Sequence, residues 1–131
     1  MAATKESKAW KKLKGLFPSG HVHRVENPVL PGTPDVNGCI CGVEFWCELK
    51  HVHTLPKLPD TPVFRGKLKP EQILWHVLRR KSGGRSYLVG YVEELDEFFI
   101  LENRWAKEFN NLTLQELRDR NLPLEEVWEK S

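Results

Sequence analysis

Several short stretches of the chain alternate between apolar and polar residues, and this alternation predicts β-strands. The stretches cover residues 21–27, 34–40, 43–50, 85–92 and 97–101. Only Cys41 and Gly42 separate the second stretch from the third, which predicts a hairpin turn at that place. Asn37-Gly38 is an alternative turn or bulge, so the pattern leaves the register of the hairpin open.

Two longer stretches have the apolar spacing of amphipathic helices. The first covers residues 4–16 and ends before Pro18. The second lies within residues 69–84, with Pro70 in its first turn, basic residues in its last turn and glycines after it. Two shorter helices are predicted at residues 102–109 and 113–120, and a proline-rich loop or flap is predicted at residues 51–66.

In chain order the main elements are α-β-β-β-α-β, followed by a small helical tail. Three strands in a row, then a helix and a further strand, predict an α/β fold with a mixed central sheet. The chain has 131 residues, of which 40% are apolar, and this is enough for one packed core. We therefore expect a single domain over residues 1–131, with a core at about 4–101 and the tail at about 102–131.

The net charge of +2 is too small to indicate a nucleic-acid partner by itself, but the basic residues are unevenly distributed. One group lies in the first helix and comprises Lys5, Lys8, Lys11, Lys12 and Lys14. A second group surrounds the second helix and comprises Lys67, Lys69, Arg79, Arg80, Lys81 and Arg85. This distribution predicts either one anion-binding face or an ordinary solvated surface.

No apolar segment is long enough for a transmembrane helix, and the first residues lack the apolar segment of a signal peptide. We therefore expect a cytoplasmic protein with no membrane partner. Three cysteines, an odd number, do not indicate a disulfide framework. They could form a zinc cluster with two nearby histidines, but the spacing fits no standard motif and buried structural cysteines are preferred. The residues of that alternative are Cys39, Cys41, Cys47, His51 and His53.

The strand at residues 43–50 has one apolar face and one face with functional groups. Because alternate residues of a strand share a face, Glu48 and Lys50 project side by side. An antiparallel hairpin can bring Asp35, which precedes Glu48 by 13 residues, to the same end. Two carboxylates beside a lysine suit a hard cation such as Mg²⁺, and the lysine can hold the attacking water or stabilise a phosphate under attack. The alternative is an exposed ion pair of little energetic consequence.

The ordered motifs PGTPDVNGCICGVEFWCELK, LKPEQ and GGRSYLVGYVEE resemble the VRR-NUC branch of the PD-(D/E)XK nucleases. The resemblance covers roughly residues 21–95. This branch is found in bacteriophage proteins and repair nucleases and is related to Holliday junction resolvases. The resemblance implies a restriction-endonuclease-like core and a DNA endonuclease that depends on Mg²⁺, with Mn²⁺ as a substitute. If a phage encodes the protein, its expected location is the host cytoplasm.

The resemblance also implies roles for individual residues. Asp35 and Glu48 match the metal ligands, the backbone carbonyl of Leu49 would be a further ligand, and Lys50 matches the catalytic lysine. Gln72 matches a glutamine that this branch places beside the active site.

A further acid is expected from the first helix or strand, with Glu26 as the first choice and Glu6 as the second. The proline-rich insert at 51–66 departs from the family pattern, and it is interpreted as a substrate-binding flap.

DNA is the expected partner, and action on branched DNA by a homodimer is plausible from the family relation. The basic residues expected to contact the DNA backbone are Lys11, Lys12, Lys67, Lys69, Arg79, Arg80, Lys81 and Arg85. Those at the end of the second helix have an alternative role, because cations there interact favourably with the helix dipole. Two alternative functions remain, a non-catalytic nucleic-acid-binding domain on the same fold and a zinc-stabilised binding module.

Overall fold

The computed structural model describes residues 5–26 and 30–130, and of residues 5–7 it describes only the backbone. In chain order the helices and strands are α1 (Lys5–Leu16), β1 (His21–Arg24), β2 (Val36–Ile40), β3 (Val43–Val52), α2 (Pro70–Lys81), β4 (Ser86–Val92), β5 (Glu97–Glu102) and α3 (Leu114–Arg120). The order α-β-β-β-α-β predicted from the sequence is confirmed, and a fifth strand and the tail follow it. Within the described residues, no helix is long and apolar enough to cross a membrane.

The five strands form one mixed sheet in the order β1-β2-β3-β4-β5. β1, β2 and β3 pair antiparallel, β3 and β4 pair parallel, and β4 and β5 pair antiparallel. The long crossover through α2 is what allows β3 and β4 to run in the same direction. Every residue of β4 is buried, as expected for a strand that is covered on both faces.

The β2–β3 hairpin turns at Cys41 and Gly42, as predicted, and both residues have positive φ angles of 52° and 81°. This pair of angles is typical of the two-residue hairpin turns that match strand twist. Gly38 is instead paired within β2, opposite Phe45, so the alternative turn at Asn37-Gly38 is wrong. A Cβ atom at Gly38 would lie 2.3 Å from the Phe45 ring, so this glycine makes room for an aromatic side chain.

α1 covers one face of the sheet. Its Ala9 and Leu13 pack in the same cluster as Phe45 and Leu49, which are odd-numbered residues of β3. The end of the tail reaches this face too, since Val127 belongs to that cluster. The apolar face predicted for β3 is therefore the face that packs against α1.

α2, the insert and the first part of the tail cover the opposite face. Phe64 of the insert packs there with Leu88 of β4 and with Phe109 and Leu117 of the tail. The even-numbered residues of β3 point to this side. The groups that project from β3 beside Leu88 therefore lie under a second layer rather than in solvent.

Several strand boundaries and one helix differ from the prediction. β1 ends at Arg24 and β2 begins at Val36, so both are shorter than the strands predicted over 21–27 and 34–40, and residue 27 lies outside the described residues. β3 continues to Val52, because parallel pairing with β4 extends two residues beyond the predicted end. The helix predicted over 102–109 is wrong, since the chain there forms separate 3₁₀ turns at Asn103–Trp105 and Phe109–Asn111. Short 3₁₀ turns let the buried side chains of this segment reach the core without a regular helical period.

A small network of buried polar side chains lies beneath α2. His76 Nδ1 is 2.8 Å from Ser86 Oγ, and Asn103 Nδ2 donates to the same hydroxyl oxygen at 3.0 Å. His76 is fully buried. Burial, with smaller contributions from the cations Arg79 and Lys50, lowers the pKa of His76 from 6.5 to about 4. The ring is therefore neutral at pH 7.

We expect the free energy of unfolding to fall as the pH drops below 6.5, because of His76. The imidazole takes up a proton near pH 6.5 in the unfolded chain, whereas in the folded protein it stays neutral down to about pH 4. Between pH 7 and pH 5 this one group should lower the stability by about 2 kcal/mol. Urea unfolding at pH 7 and pH 5 measures the fall in the free energy of unfolding between the two conditions. That fall should be smaller in His76→Gln than in the original protein by about 2 kcal/mol. Equal losses in the two proteins would contradict the prediction.

Candidate functional site

Asp35 lies immediately before β2, at the open end of the hairpin. The observed register of β2 and β3, continued by one residue, places Asp35 opposite Glu48. Its Oδ1 accepts a hydrogen bond from the backbone amide of Leu49 at 2.9 Å, and its Oδ2 lies 3.9 Å from Arg24 Nη2. The sequence prediction that the hairpin brings Asp35 to the Glu48 end of β3 is confirmed.

Glu48 and Lys50 project from the same face of β3 and are both buried. The two residues are only 4% and 7% exposed, and Lys50 Nζ lies 3.5 Å from Glu48 Oε2. An ion pair at the protein surface would keep its solvation, whereas this pair loses most of its contact with water. The alternative of an ordinary exposed ion pair is therefore wrong.

Gln72, in the first turn of α2, contacts Glu48 from the helix layer that covers this face of the sheet. Its Oε1 accepts a hydrogen bond from the backbone amide of Lys69 at 2.9 Å, which is half of a capping box. Its Nε2 donates to Glu48 Oε2 at 3.3 Å. Because the capping bond needs an acceptor, the amide group of Gln72 is oriented with its donor toward the carboxylate. A glutamate could cap the helix equally well, but it would place a second negative charge beside Glu48.

The loop before Asp35 is packed against the start of α2. Gly32 has a φ of +90°, and a Cβ atom there would lie 2.3 Å from the backbone oxygen of Glu71. Only glycine allows both this backbone conformation and this close approach. The packing ties the segment that carries Asp35 to the helix turn that carries Gln72.

The insert covers the sheet beside Lys50. Gly90 pairs with Lys50 in the parallel register, and a Cβ atom at Gly90 would lie 2.3 Å from the Phe64 ring. Phe64 therefore occupies the space that a side chain at Gly90 would fill, and its ring also stacks on Phe109 at 5.0 Å. A buried aromatic thus anchors the insert next to the candidate site.

Asn110 of the tail fixes the end of the insert. Its Oδ1 accepts from the backbone amide of Leu68 at 2.8 Å, and its Nδ2 donates to the carbonyl of the same residue at 2.7 Å. Leu68 directly precedes Lys69, the residue that caps α2 and orients Gln72. The tail therefore helps to position the start of α2 over Glu48.

The further acid stays a prediction. Glu26 is exposed and follows Val25, whose backbone amide donates to the carbonyl oxygen of Asp35 at 2.8 Å. The backbone of Glu26 thus passes near Asp35. Glu6, the second choice, lies in α1, and its side chain is outside the part that the structure describes.

Basic residues at the end of α2 have packing partners. The Arg79 guanidinium lies 4.4 Å from the ring centre of Trp75 and 5.9 Å from that of Trp46. Arg80 Nη1 donates to Asn103 Oδ1 at 3.3 Å. These contacts show that both arginines help to hold α2 on the protein, whatever further role they have toward DNA.

Two other predicted DNA contacts are also engaged within the protein. Arg85 Nη1 donates to the backbone carbonyls of Glu126 and Val127. Lys12 Nζ lies 3.0 Å from Asp96 Oδ1, on the α1 side of the sheet and so away from Glu48. The remaining predicted contacts are all exposed, and they are Lys11, Lys67, Lys69 and Lys81.

The cysteines do not form the zinc cluster considered from the sequence. Cys39 and Cys41 are exposed at the hairpin, whereas Cys47 is buried on the α1 face. Burial raises the pKa of the Cys47 thiol, with additional effects of Asp35 and Glu48, so it stays protonated and is a poor metal ligand. Buried structural packing is the better interpretation of this residue.

The donor atoms beside Lys50 fit a hard divalent cation. Mg²⁺ prefers carboxylate, carbonyl and water oxygens. Asp35 and Glu48 offer carboxylates, and Leu49 lies between Glu48 and Lys50 with its amide already bound to Asp35. A carboxylate as buried as Glu48 needs compensating positive charge, which a bound cation would add to that of Lys50.

No protein-family description matches the sequence, and no curated protein has a significantly similar sequence. Among solved structures, the chain is similar to Hjc, a Holliday junction resolvase from the archaeal hyperthermophile Archaeoglobus fulgidus. The similarity covers 95% of each chain, with a TM-score of 0.63 and 15% sequence identity. The fold is restriction-endonuclease-like. This confirms the fold class predicted from the sequence, whereas the VRR-NUC branch and a phage origin stay predictions.

Sequence reasoning missed the residues that position the site. Gly32 had a local signal, because a glycine between two prolines is typical of a tight loop. Asn110 had none, because its partner Leu68 is 42 residues away and an asparagine in a loop is common. Phe64 was visible only as an apolar residue in a proline-rich segment, and its place against Gly90 required the tertiary fold.

Proposed function

We propose that this protein is a metal-dependent endonuclease that hydrolyses phosphodiester bonds in DNA. The observation that carries the proposal is the buried contact of Glu48 with Lys50 at 3.5 Å and with Gln72 at 3.3 Å, next to Asp35. Replacing a buried ion pair by apolar residues is often neutral or stabilising. The burial of this pair is therefore better explained by chemistry than by stability.

Each side chain has a defined task in the proposed reaction. Mg²⁺ held by Asp35, Glu48 and the carbonyl of Leu49 would supply positive charge for the phosphate and lower the pKa of a bound water. Lys50 is a cation that only donates hydrogen bonds, so it can orient the attacking water or stabilise the charge that develops on phosphate oxygens. Gln72 donates to Glu48 without changing the net charge and keeps the carboxylate in place.

We propose branched DNA as the substrate class, because the similar solved structure is described as a Holliday junction resolvase. Lys67 and Lys69 are exposed just before α2, and they can contact phosphates beside Gln72. Paired cuts in a symmetric junction need two active sites, so we propose a homodimer. Leu74 and Leu78, one turn apart and exposed on α2, are candidates for the dimer contact.

A cleavage assay tests the proposal. The substrates are a four-way junction, a linear duplex and a supercoiled plasmid, each with Mg²⁺, Mn²⁺ or EDTA. We expect cleavage with either metal ion and none with EDTA, and the junction should be cut fastest. Asp35→Ala should lower the rate by about 10²–10³-fold or more while DNA binding is retained. Asp60→Ala, which replaces an exposed acid of the insert, is the matched control and should cleave at the original rate.

Two outcomes would contradict the proposal. Binding of the junction without cleavage of any substrate would favour the non-catalytic DNA-binding domain. Cleavage that Asp35→Ala leaves unchanged would place the activity elsewhere or in a contaminant.

A further inference from the structure

A second group of metal-ligand side chains lies where β3 ends. Within residues 5–26 and 30–130, the ligand atoms of His51, His53 and Glu93 all lie within 4.8 Å of one another. His51 Nε2 is 3.2 Å from Glu93 Oε1, and His53 Nδ1 is 2.8 Å from Glu93 Oε2. One carboxylate therefore faces two imidazoles.

The strand pairing produces this arrangement. His51 is the second-to-last residue of β3 and His53 directly follows the strand, and both side chains reach Glu93. Parallel pairing puts His51 beside Tyr91 of β4, with ring centres 5.3 Å apart. Glu93 directly follows Val92, the last residue of β4. The backbone amide of Glu94 donates to the carbonyl of His53 at 2.9 Å, which holds the two segments together.

We propose that His51, His53 and Glu93 bind a borderline transition-metal cation of the Zn²⁺ class. Imidazole nitrogens suit such ions, and a carboxylate with two imidazoles is a known kind of three-ligand set that leaves a fourth position for water. Bonds of the usual length in a tetrahedral site put neighbouring ligand atoms about 3.3 Å apart. The 3.2 Å between His51 Nε2 and Glu93 Oε1 already matches that separation.

This site is separate from the one that contains Lys50. His51 belongs to the odd-numbered residues of β3, which face α1, whereas Glu48 and Lys50 face α2. The chemistry differs as well, because His51 and His53 offer nitrogen donors beside the Glu93 carboxylate, whereas the site beside Lys50 offers only oxygens. The two sites should therefore select different cations from a mixture.

The ammonium group of Lys8 in α1 pairs with the same carboxylate that would bind the cation. Lys8 Nζ lies 3.1 Å from Glu93 Oε1, and the lysine side chain is 56% exposed. A lysine on the surface can move into water when a divalent cation neutralises the carboxylate. Lys8 should therefore compete with the metal ion, and its removal should strengthen binding.

Calorimetric titration of the full chain with Zn²⁺ tests this site. The protein carries no histidine tag, Cys39 and Cys41 are both replaced by serine, and Mg²⁺ is present in large excess to fill the oxygen site. We expect one Zn²⁺ per chain and a higher thermal unfolding temperature when it is bound. Loss of a residue that only supports a metal ligand typically weakens metal binding about 10–100-fold. His53→Ala and Glu93→Gln should each weaken Zn²⁺ binding by more than that, because each removes a ligand.

Controls come from the same chain. His21 and His23 form another pair of alternate histidines, with ring centres 4.8 Å apart, on the exposed strand β1. His21→Ala with His23→Ala should leave Zn²⁺ affinity unchanged. Asp35→Asn should leave it unchanged too, which separates this site from the proposed nuclease site. His53 is half-exposed, so its replacement should not unfold the protein. The free energy of unfolding of His53→Ala, measured in EDTA, checks this and should be close to that of the original protein.

Lys8→Met gives a prediction of opposite sign, namely tighter Zn²⁺ binding than in the original protein. Tighter binding in Lys8→Met and weaker binding in His53→Ala together support the proposal. Zn²⁺ affinity that persists in both His53→Ala and Glu93→Gln, or that is lost with the His21 and His23 pair, overturns it.

Discussion

Lys50→Met is expected to lower the rate of DNA cleavage by about 10²–10³-fold or more at saturating Mg²⁺. Methionine keeps the volume of the side chain but cannot donate a hydrogen bond or carry charge. The loss should therefore fall on the chemical step, and single-turnover cleavage of bound junction DNA measures that step directly. Junction affinity should change little, because Lys50 is buried and contributes little to the electrostatic surface. A loss of affinity without a slower single-turnover rate would contradict the assigned role.

The same variant should also be less stable, and a second substitution should restore stability without activity. Lys50→Met removes the ammonium 3.5 Å from the buried carboxylate of Glu48, and breaking a buried ion pair in this way typically costs about 3–5 kcal/mol. Adding Glu48→Gln removes the remaining charge while an amide oxygen can still accept from Gln72. The double variant should unfold at the denaturant concentration of the original protein or above it, yet remain inactive.

An exposed ion pair provides the control for this experiment. Arg118 Nη1 lies 3.0 Å from Glu97 Oε2, and both side chains are partly in solvent. Arg118→Met should change the free energy of unfolding by no more than about 1 kcal/mol. If the double variant at Glu48 and Lys50 proves as unstable as Lys50→Met alone, the pair is retained for stability, and the main support for the proposed chemistry is lost.

The parts of the fold that the sequence predicts are those with local signals. The hairpin at Cys41-Gly42, the faces of β3 and the capped helix α2 each depend on residues close together in the chain. The helix predicted over 102–109 is wrong, because Asn103–Trp105 and Phe109–Asn111 bury side chains through isolated 3₁₀ turns with no regular period.

The candidate site could be predicted only in part for the same reason. Asp35, Glu48 and Lys50 follow from the hairpin and the alternation of β3. Their burial does not, because a Glu-x-Lys pattern is equally typical of an exposed strand, and the cover comes from α2 and the insert. The partner of His53 is 40 residues away, so the sequence alone groups the two histidines with the nearby cysteines instead of with Glu93.

Phe64→Ala is expected to destabilise the protein by about 3–5 kcal/mol and to reduce cleavage by more than the unfolded fraction explains. The ring is fully buried, stacks on Phe109 and fills the space above Gly90, beside Lys50. Its removal leaves a cavity under the insert and loosens the segment that leads to the first turn of α2. Because Gln72 lies in that turn, the contact with Glu48 should weaken.

Two comparison variants separate anchoring from general damage. Leu58→Ala changes a residue of the same insert that is 68% exposed, so it should alter both stability and cleavage rate very little. Phe64→Leu keeps most of the apolar volume, so its stability and cleavage rate should lie between those of Phe64→Ala and Leu58→Ala. Urea unfolding, together with cleavage rates measured where all variants are folded, gives the two quantities independently. If Phe64→Ala costs no more than Leu58→Ala, the insert is held by its contacts with Asn110 and Leu112 rather than by the aromatic ring.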